Sequence, residues 1–334
     1  MFESVLSLVV SMFIVFVAAF LFVNAIEYLG CRFKWGGSFV SATLAPLFTS
    51  LPEMIIFLVA LFGLGGASGQ DIGLGTLFGQ PFMASSLSYG LVGIAAFIAY
   101  KVGRRKTSVL AVSRRLLMPY VFITVLFPMT LIPAIIGGAT VRYIFGAIFL
   151  GAYLVYVTLM YREKSAEHLE DSAIPYTCRV VNNPVLGGVI QLAAAVIMLY
   201  YSSHLMVSTV AAIASDMGIS ALALALVLIP AVTAIPETAS DLIWAWNGKD
   251  NLCLGALVGE KVLYSTFYPG IGLFMTAWVL DVYAYFSVLV CFTVSVVLMY
   301  FVSKHRLPWY FLLIGLVFFV AYAVSIFVPP FWLL

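Results

Sequence analysis

Charge is what this 334-residue sequence has least of: 9% of its residues are Asp, Glu, Lys or Arg, while 64% are hydrophobic. Ordinary soluble domains carry about 25% charged residues, so a water-facing globular surface is excluded and the bilayer is the expected solvent. Histidine is scarce too, and His168, His204 and His305 form no H-E-x-x-H or other paired metal spacing. The four cysteines, Cys31, Cys178, Cys253 and Cys291, show no C-x-x-C spacing, so neither a zinc site nor a disulfide framework is indicated. There is no G-x-S-x-G elbow, and the glycine-rich stretch 63–75 lacks the G-K-[ST] of a phosphate loop. An enzyme is not expected, nor is a cofactor, and a net charge of +2 leaves no nucleic-acid footprint.

Long apolar runs are what the sequence has in quantity. A spanning helix needs about 20 mostly apolar residues, and such runs leave no room for a soluble domain. Ten spans are predicted, at 4–28, 37–63, 71–100, 116–135, 139–161, 186–213, 219–246, 252–274, 277–302 and 308–331. The first, from Val5 to Ile26, is too long for a signal-peptide core and follows acidic Glu3, so it is read as a mature helix. If linkers alternate sides, one side collects Arg32, Lys34, Lys101, Arg104, Arg105, Lys106, Arg114, Arg115 and the later linker cations, while the other holds only Arg142. The positive-inside rule makes the basic side cytoplasmic and puts both termini outside.

A polar stretch from Tyr161 to Asn183 divides the chain into 1–161, a cytoplasmic linker 162–185, and 186–334. Shifting one half on the other by the interval from Glu53 to Glu237 matches Leu44, Pro46, Thr49, Pro52 and Glu53 with Leu228, Pro230, Thr233, Pro236 and Glu237. After a four-residue slip, Leu74-Gly75, Leu77 and Gly79 face Leu254-Gly255, Leu257 and Gly259. Five spans per half is odd, so the second copy enters the membrane upside down. The expected fold is an all-α polytopic membrane protein of ten transmembrane helices in two inverted five-helix repeats.

Each half carries T-x-x-P-E within an apolar span, at Thr49–Glu53 and at Thr233–Glu237. Prolines six apart are expected to break both helices and to free carbonyl oxygens. At 1.5 Å per residue, Glu53 and Glu237 both lie about 15 Å from a span end, near the midplane. An ionised carboxylate there costs about 3 kcal/mol even on translocon-derived scales, so the pair needs a cation, proton or lysine. Carboxylate and carbonyl oxygens are the ligands Ca²⁺ prefers.

With these motifs the sequence resembles the calcium/cation antiporter superfamily, whose two repeats carry G-T-S-L-P-E-like motifs. The resemblance covers about half the chain, and Thr49 to Glu53 nearly reproduces the motif. It implies antiport of Ca²⁺ against Na⁺ or H⁺, with Thr49, Ser50, Glu53, Thr233 and Glu237 as ion ligands; Ala234 replaces the second serine. The next family motif, G-N-x-x-G-S-N-x-x-N or with a terminal aspartate, departs further: its serine becomes Gln80 and Glu260, and its last ligand Ala84 and Tyr264.

Lys261 also falls near the midplane, where an ammonium needs a carboxylate partner or must be neutral. It is read either as a tethered cation in a Na⁺ position or as half of a structural Glu–Lys pair. Asp241, one turn beyond Glu237, is a candidate for the ion path, whereas Asp71 and Asp250 at span entrances read more readily as solvated caps. The candidate ion ligands are therefore Glu53, Glu237, Thr49, Ser50, Thr233 and Glu260, with Lys261, Gln80, Tyr264 and Asp241 in the path or coupling. The expected partners are the bilayer and inorganic cations, with no required protein partner. The alternative is an exchanger-fold channel or ion sensor that has lost coupled transport.

Overall fold

A computed structural model describes residues 2–32, 47, 50–162 and 174–327, apart from a few side chains that include that of Glu237. The long elements begin and end where local chemistry says they should. Helix α1 spans Phe2–Arg32. Helix α2, Leu51–Leu58, starts behind Ser50 with a proline in its first turn, where a missing N–H is harmless, and continues as a π-helical turn Val59–Leu64. Gly65 and Gly66, both at positive φ, turn the chain into α3, Gly66–Met83. A second π-turn, Ala84–Ser88, joins α3 to α4, Tyr89–Lys101.

Strand β1 (Val109–Ala111) precedes α5 (Leu117–Met129), α6 (Leu131–Ile136) and α7 (Ala139–Arg162). Helix α8, Pro184–Met217, is capped by Asn183 Oδ1, which accepts from Val185 N and Leu186 N at 3.1 and 3.2 Å. Left-handed Gly218 stops it. Ser220 caps α9, Ala221–Trp246. Then follow α10 (Asp250–Ser265), α11 (Phe267–Met275) and α12 (Val282–Ser303). The chain closes with β2 (Arg306–Pro308), α13 (Trp309–Leu312) and α14 (Ile314–Phe327).

Among the described residues, seven helical stretches are long and apolar enough to cross a membrane. The seventh expected span is α9 throughout, the described part of the second is the apolar helix Leu51–Leu64, and the eighth breaks at Thr266 between α10 and α11.

One expectation is corrected. Helix α9 runs unbroken through Pro230 and Pro236. Pro230 does leave the Leu226 carbonyl without its donor, but Gly79 of α3 covers it so closely that an added Cβ would lie 2.4 Å from that oxygen. The same Cβ would lie 2.6 Å from the Pro230 ring, and Gly75 meets Leu222 O and Ala225 in the same way. A glycine face on α3 thus receives the proline face of α9, and the backbones touch without helix rupture.

Packing runs between the halves: α1 lies against its counterpart α8 and α5 against its counterpart α12, while α3 lies against α9, α7 against α11 and α4 against α13. Two apolar clusters result. The larger holds Phe57, Phe78, Phe82, Tyr120, Tyr264 and Trp278. The smaller joins α1 and α8 through Val15, Phe22, Leu199 and Met206, with Ile56, Ile72 and Ile229 beneath them.

On the basic face, β1 pairs antiparallel with β2, Leu110 opposite Leu307. Arg105 forms a bidentate pair with Asp250 at 2.6 and 2.9 Å and also donates to the Ala245 carbonyl. Asp250 Oδ2 accepts from Ala111 N at 2.8 Å. Asp250 is therefore no solvated cap: at 5% exposure it anchors the linker after α4 to the start of α10.

Candidate cation site

Four elements bring acidic and amide oxygens to the buried middle of the molecule. The first turn of α2 presents Glu53, 2% exposed, whose Oε2 has no hydrogen-bond partner among the described residues. Across from it, the Thr233 hydroxyl of α9 lies beside the Glu53 carboxyl and also donates to Ile229 O at 3.2 Å. Gln80 of α3 donates through Nε2 to Glu260 Oε1 of α10, and its own Oε1 stays unpartnered among the described residues. The Glu260 charge reaches both Glu53 and Asp241, the latter 3% exposed on α9. Ser85 and Ser265, equivalent positions of the two halves in the Gly79–Gly259 register, are both buried with hydroxyls unpartnered among the described residues.

A buried polar atom left unpaired costs about 1–3 kcal/mol, and carboxylate charges held close together repel. A set of such oxygens is stabilised by whatever brings positive charge to it. Among the described residues, no group of three His, Cys, Asp or Glu converges to hold a metal by itself. The donor set on these four elements mixes carboxylate, amide and hydroxyl oxygens, the ligands of a hard cation.

The expected residues fall into three groups. Glu53, Thr233, Gln80, Glu260 and Asp241 share this region. Thr49 lies outside the described residues, as does the side chain of Glu237, whose backbone sits on α9 one turn before Asp241. Ser50 and Lys261 are engaged elsewhere. The Lys261 ammonium, fully buried, donates to Ser295 Oγ of α12 at 2.9 Å and lies 5.3 Å from the centre of the Tyr89 ring. No ion pair among the described residues includes it. Consecutive residues on a helix differ by about 100° in direction, which sends Glu260 toward Gln80 and Lys261 toward α12.

Sequence reasoning missed Tyr268. Its hydroxyl lies 2.6 Å from Ser50 Oγ and donates to Ser50 O at 2.8 Å, while its ring stacks on Tyr264 with centroids 4.4 Å apart. The signal available was its i+4 spacing from Tyr264, but the family motif ends at Tyr264.

A helical, multi-pass membrane protein with buried carboxylates facing one another across its halves has the build of a cation transporter. The sodium/calcium exchanger protein family matches residues 3–162 and 187–329, and the chain belongs to that family. It is therefore an integral, multi-pass membrane protein of that family. A stretch of 138 residues is 30% identical to the proposed antiporter CaxA of Alkalimonas amylolytica, covering 41% of this chain and 43% of that relative. Among solved structures, the H⁺/Ca²⁺ exchanger CAX superposes with a TM-score of 0.74 at 16% identity, over 99% of this chain and 83% of that one. YfkE superposes at 0.69, with 18% identity over 96% of this chain and 92% of that one. The sodium-calcium exchanger NCX_Mj gives 0.59, with 20% identity over 96% and 98%.

Proposed function

We propose that this protein exchanges Ca²⁺, or a similar divalent cation, for Na⁺ or H⁺ by alternating access at the buried site of Glu53, Glu260, Gln80, Thr233 and Asp241, completed by Glu237. The observation that carries this reading is the buried Glu53 carboxyl facing Thr233 of the other half, with Glu260 close enough to repel it. A divalent cation relieves that repulsion, and so do monovalent cations or protons in larger number. Competition of both for the same oxygens couples their fluxes.

Ten membrane crossings in two inverted repeats, 1–161 and 186–334 joined by 162–185, fit the pairing of α1 with α8 and of α5 with α12. In that arrangement α1 and α8 form the body that moves against the site-bearing core, and both termini face outward. Single cysteines placed at Lys106 and Gly138 in a cysteine-free background test the topology. An impermeant maleimide added to intact cells should label the Gly138 position and spare the Lys106 position.

Uptake of ⁴⁵Ca²⁺ into proteoliposomes loaded with Na⁺, or holding an outward proton gradient, tests the exchange. Uptake should require one of these gradients and vanish in Glu53→Gln and Glu237→Gln. Flux with no counter-ion requirement would favour the second reading, a channel, and binding without flux a sensor. The substitution of family ligands by Ala84, Ala234 and Tyr264 is what keeps that second reading in view.

A further inference from the structure

The two halves of the site are filled differently. In the first half, Tyr268 reaches from the start of α11 to the N-terminus of α2. Its hydroxyl donates to the Ser50 carbonyl at 2.8 Å and lies 2.6 Å from the Ser50 hydroxyl, which also donates to Leu47 O at 3.2 Å. Both residues are essentially fully buried, and the Tyr264 ring holds the Tyr268 ring by stacking. In the register that matches Gly79 with Gly259, the counterparts of Tyr264 and Tyr268 are Ala84 and Ser88, and in the register that matches Glu53 with Glu237 the counterpart of Ser50 is Ala234. There Ser88 meets the Thr238 hydroxyl at 2.9 Å, beside a half-open apolar recess of about 160 Å³ lined by Pro230, Ala234, Met83 and Leu87.

We propose that Tyr268 is a specificity-determining residue: its hydroxyl, braced by Tyr264, occupies both oxygens of Ser50 and denies that half of the site to a monovalent cation. The inference rests on the antiport reading for its purpose, but its chemistry is local. A hydroxyl and a carbonyl from one residue are a ready pair of oxygens for Na⁺. A phenol oxygen 2.6 and 2.8 Å from the two fills the place a cation would take beside them, without bringing charge. The site is left with its carboxylates for the divalent ion and its exchange partner, and with no additional Na⁺ position at Ser50.

The test uses the purified full chain, Tyr268→Phe, which keeps the ring and its stacking, and Tyr268→Ser, which reproduces the chemistry of Ser88. Thermal unfolding is compared in matched NaCl and choline chloride series without Ca²⁺, and ⁴⁵Ca²⁺ uptake is measured with and without an opposing Na⁺ gradient. The intact chain should show no more Na⁺-specific stabilisation than its carboxylates alone provide. The variants should gain a Na⁺-specific stabilisation, with Na⁺ binding tightened by about tenfold or more, and a Na⁺-stimulated component of uptake. An equal Na⁺ response in the intact chain and both folded variants overturns the proposal. Loss of Ca²⁺ uptake by the intact chain would count against the antiport reading alone, because Na⁺-specific stabilisation is read without transport.

Discussion

Arg105 shows what a single side chain can hold in place. It neutralises Asp250, donates to the Ala245 carbonyl, and fixes the linker whose strand β1 pairs with β2. Removing one member of a buried pair leaves the other charge uncompensated and costs roughly 3–5 kcal/mol. Arg105→Met should therefore lower the unfolding temperature markedly, and the double substitution Arg105→Met with Asp250→Leu should recover most of the loss. Thermal unfolding of the three purified proteins measures both effects. Gln80 acts at the site instead. Without its amide, Glu260 loses a charge-assisted donor worth about 1.5–3 kcal/mol. Gln80→Leu should therefore raise the half-saturating Ca²⁺ concentration about tenfold or more and lower the unfolding temperature by a few degrees. Radiolabelled uptake against a Ca²⁺ series is the check.

At the scale of elements, the contact of α3 with α9 is set by backbone and leaves little room to adjust. A methyl group at Gly79 would collide with the Leu226 carbonyl and the Pro230 ring together. Overpacking typically costs about 1–3 kcal/mol, and a rigid neighbour puts Gly79→Ala at the upper end, with transport reduced as the helices part. A stability curve with matched uptake rates tests this. The same contact explains what the sequence did and did not disclose. The Thr-Pro-Glu motifs are legible because they occur twice at one interval, and two midplane glutamates admit few roles. The continuity of α9 through its prolines is illegible, because the group that covers the freed carbonyl comes from Gly79, distant in the chain. Lys261 and Glu260 are adjacent letters whose opposite fates depend on which helices flank α10. The pairing of Asp250 with Arg105 is hidden likewise, since nothing local distinguishes a capping aspartate from a long-range anchor.

At the scale of the whole molecule, α1 and α8 contribute most of a separate apolar cluster, while the larger cluster is built on α3, α5, α10, α11 and α12. Helix α1 has 31 residues and α8 has 34, so at 1.5 Å per residue each is about 46–51 Å long. The hydrocarbon layer is about 30 Å thick. Helices so much longer than the layer must lean or carry their ends beyond it, and their slant responds to bilayer thickness. If this pair is the moving body, membrane thickness becomes a control on turnover. Reconstitution across a series of lipid chain lengths should shift the rate of Ca²⁺ exchange strongly, while the Ca²⁺ concentration for half-saturation, set in the other cluster, stays nearly constant. The cell could then tune such a protein through its fatty-acid composition, with no ligand and no covalent modification.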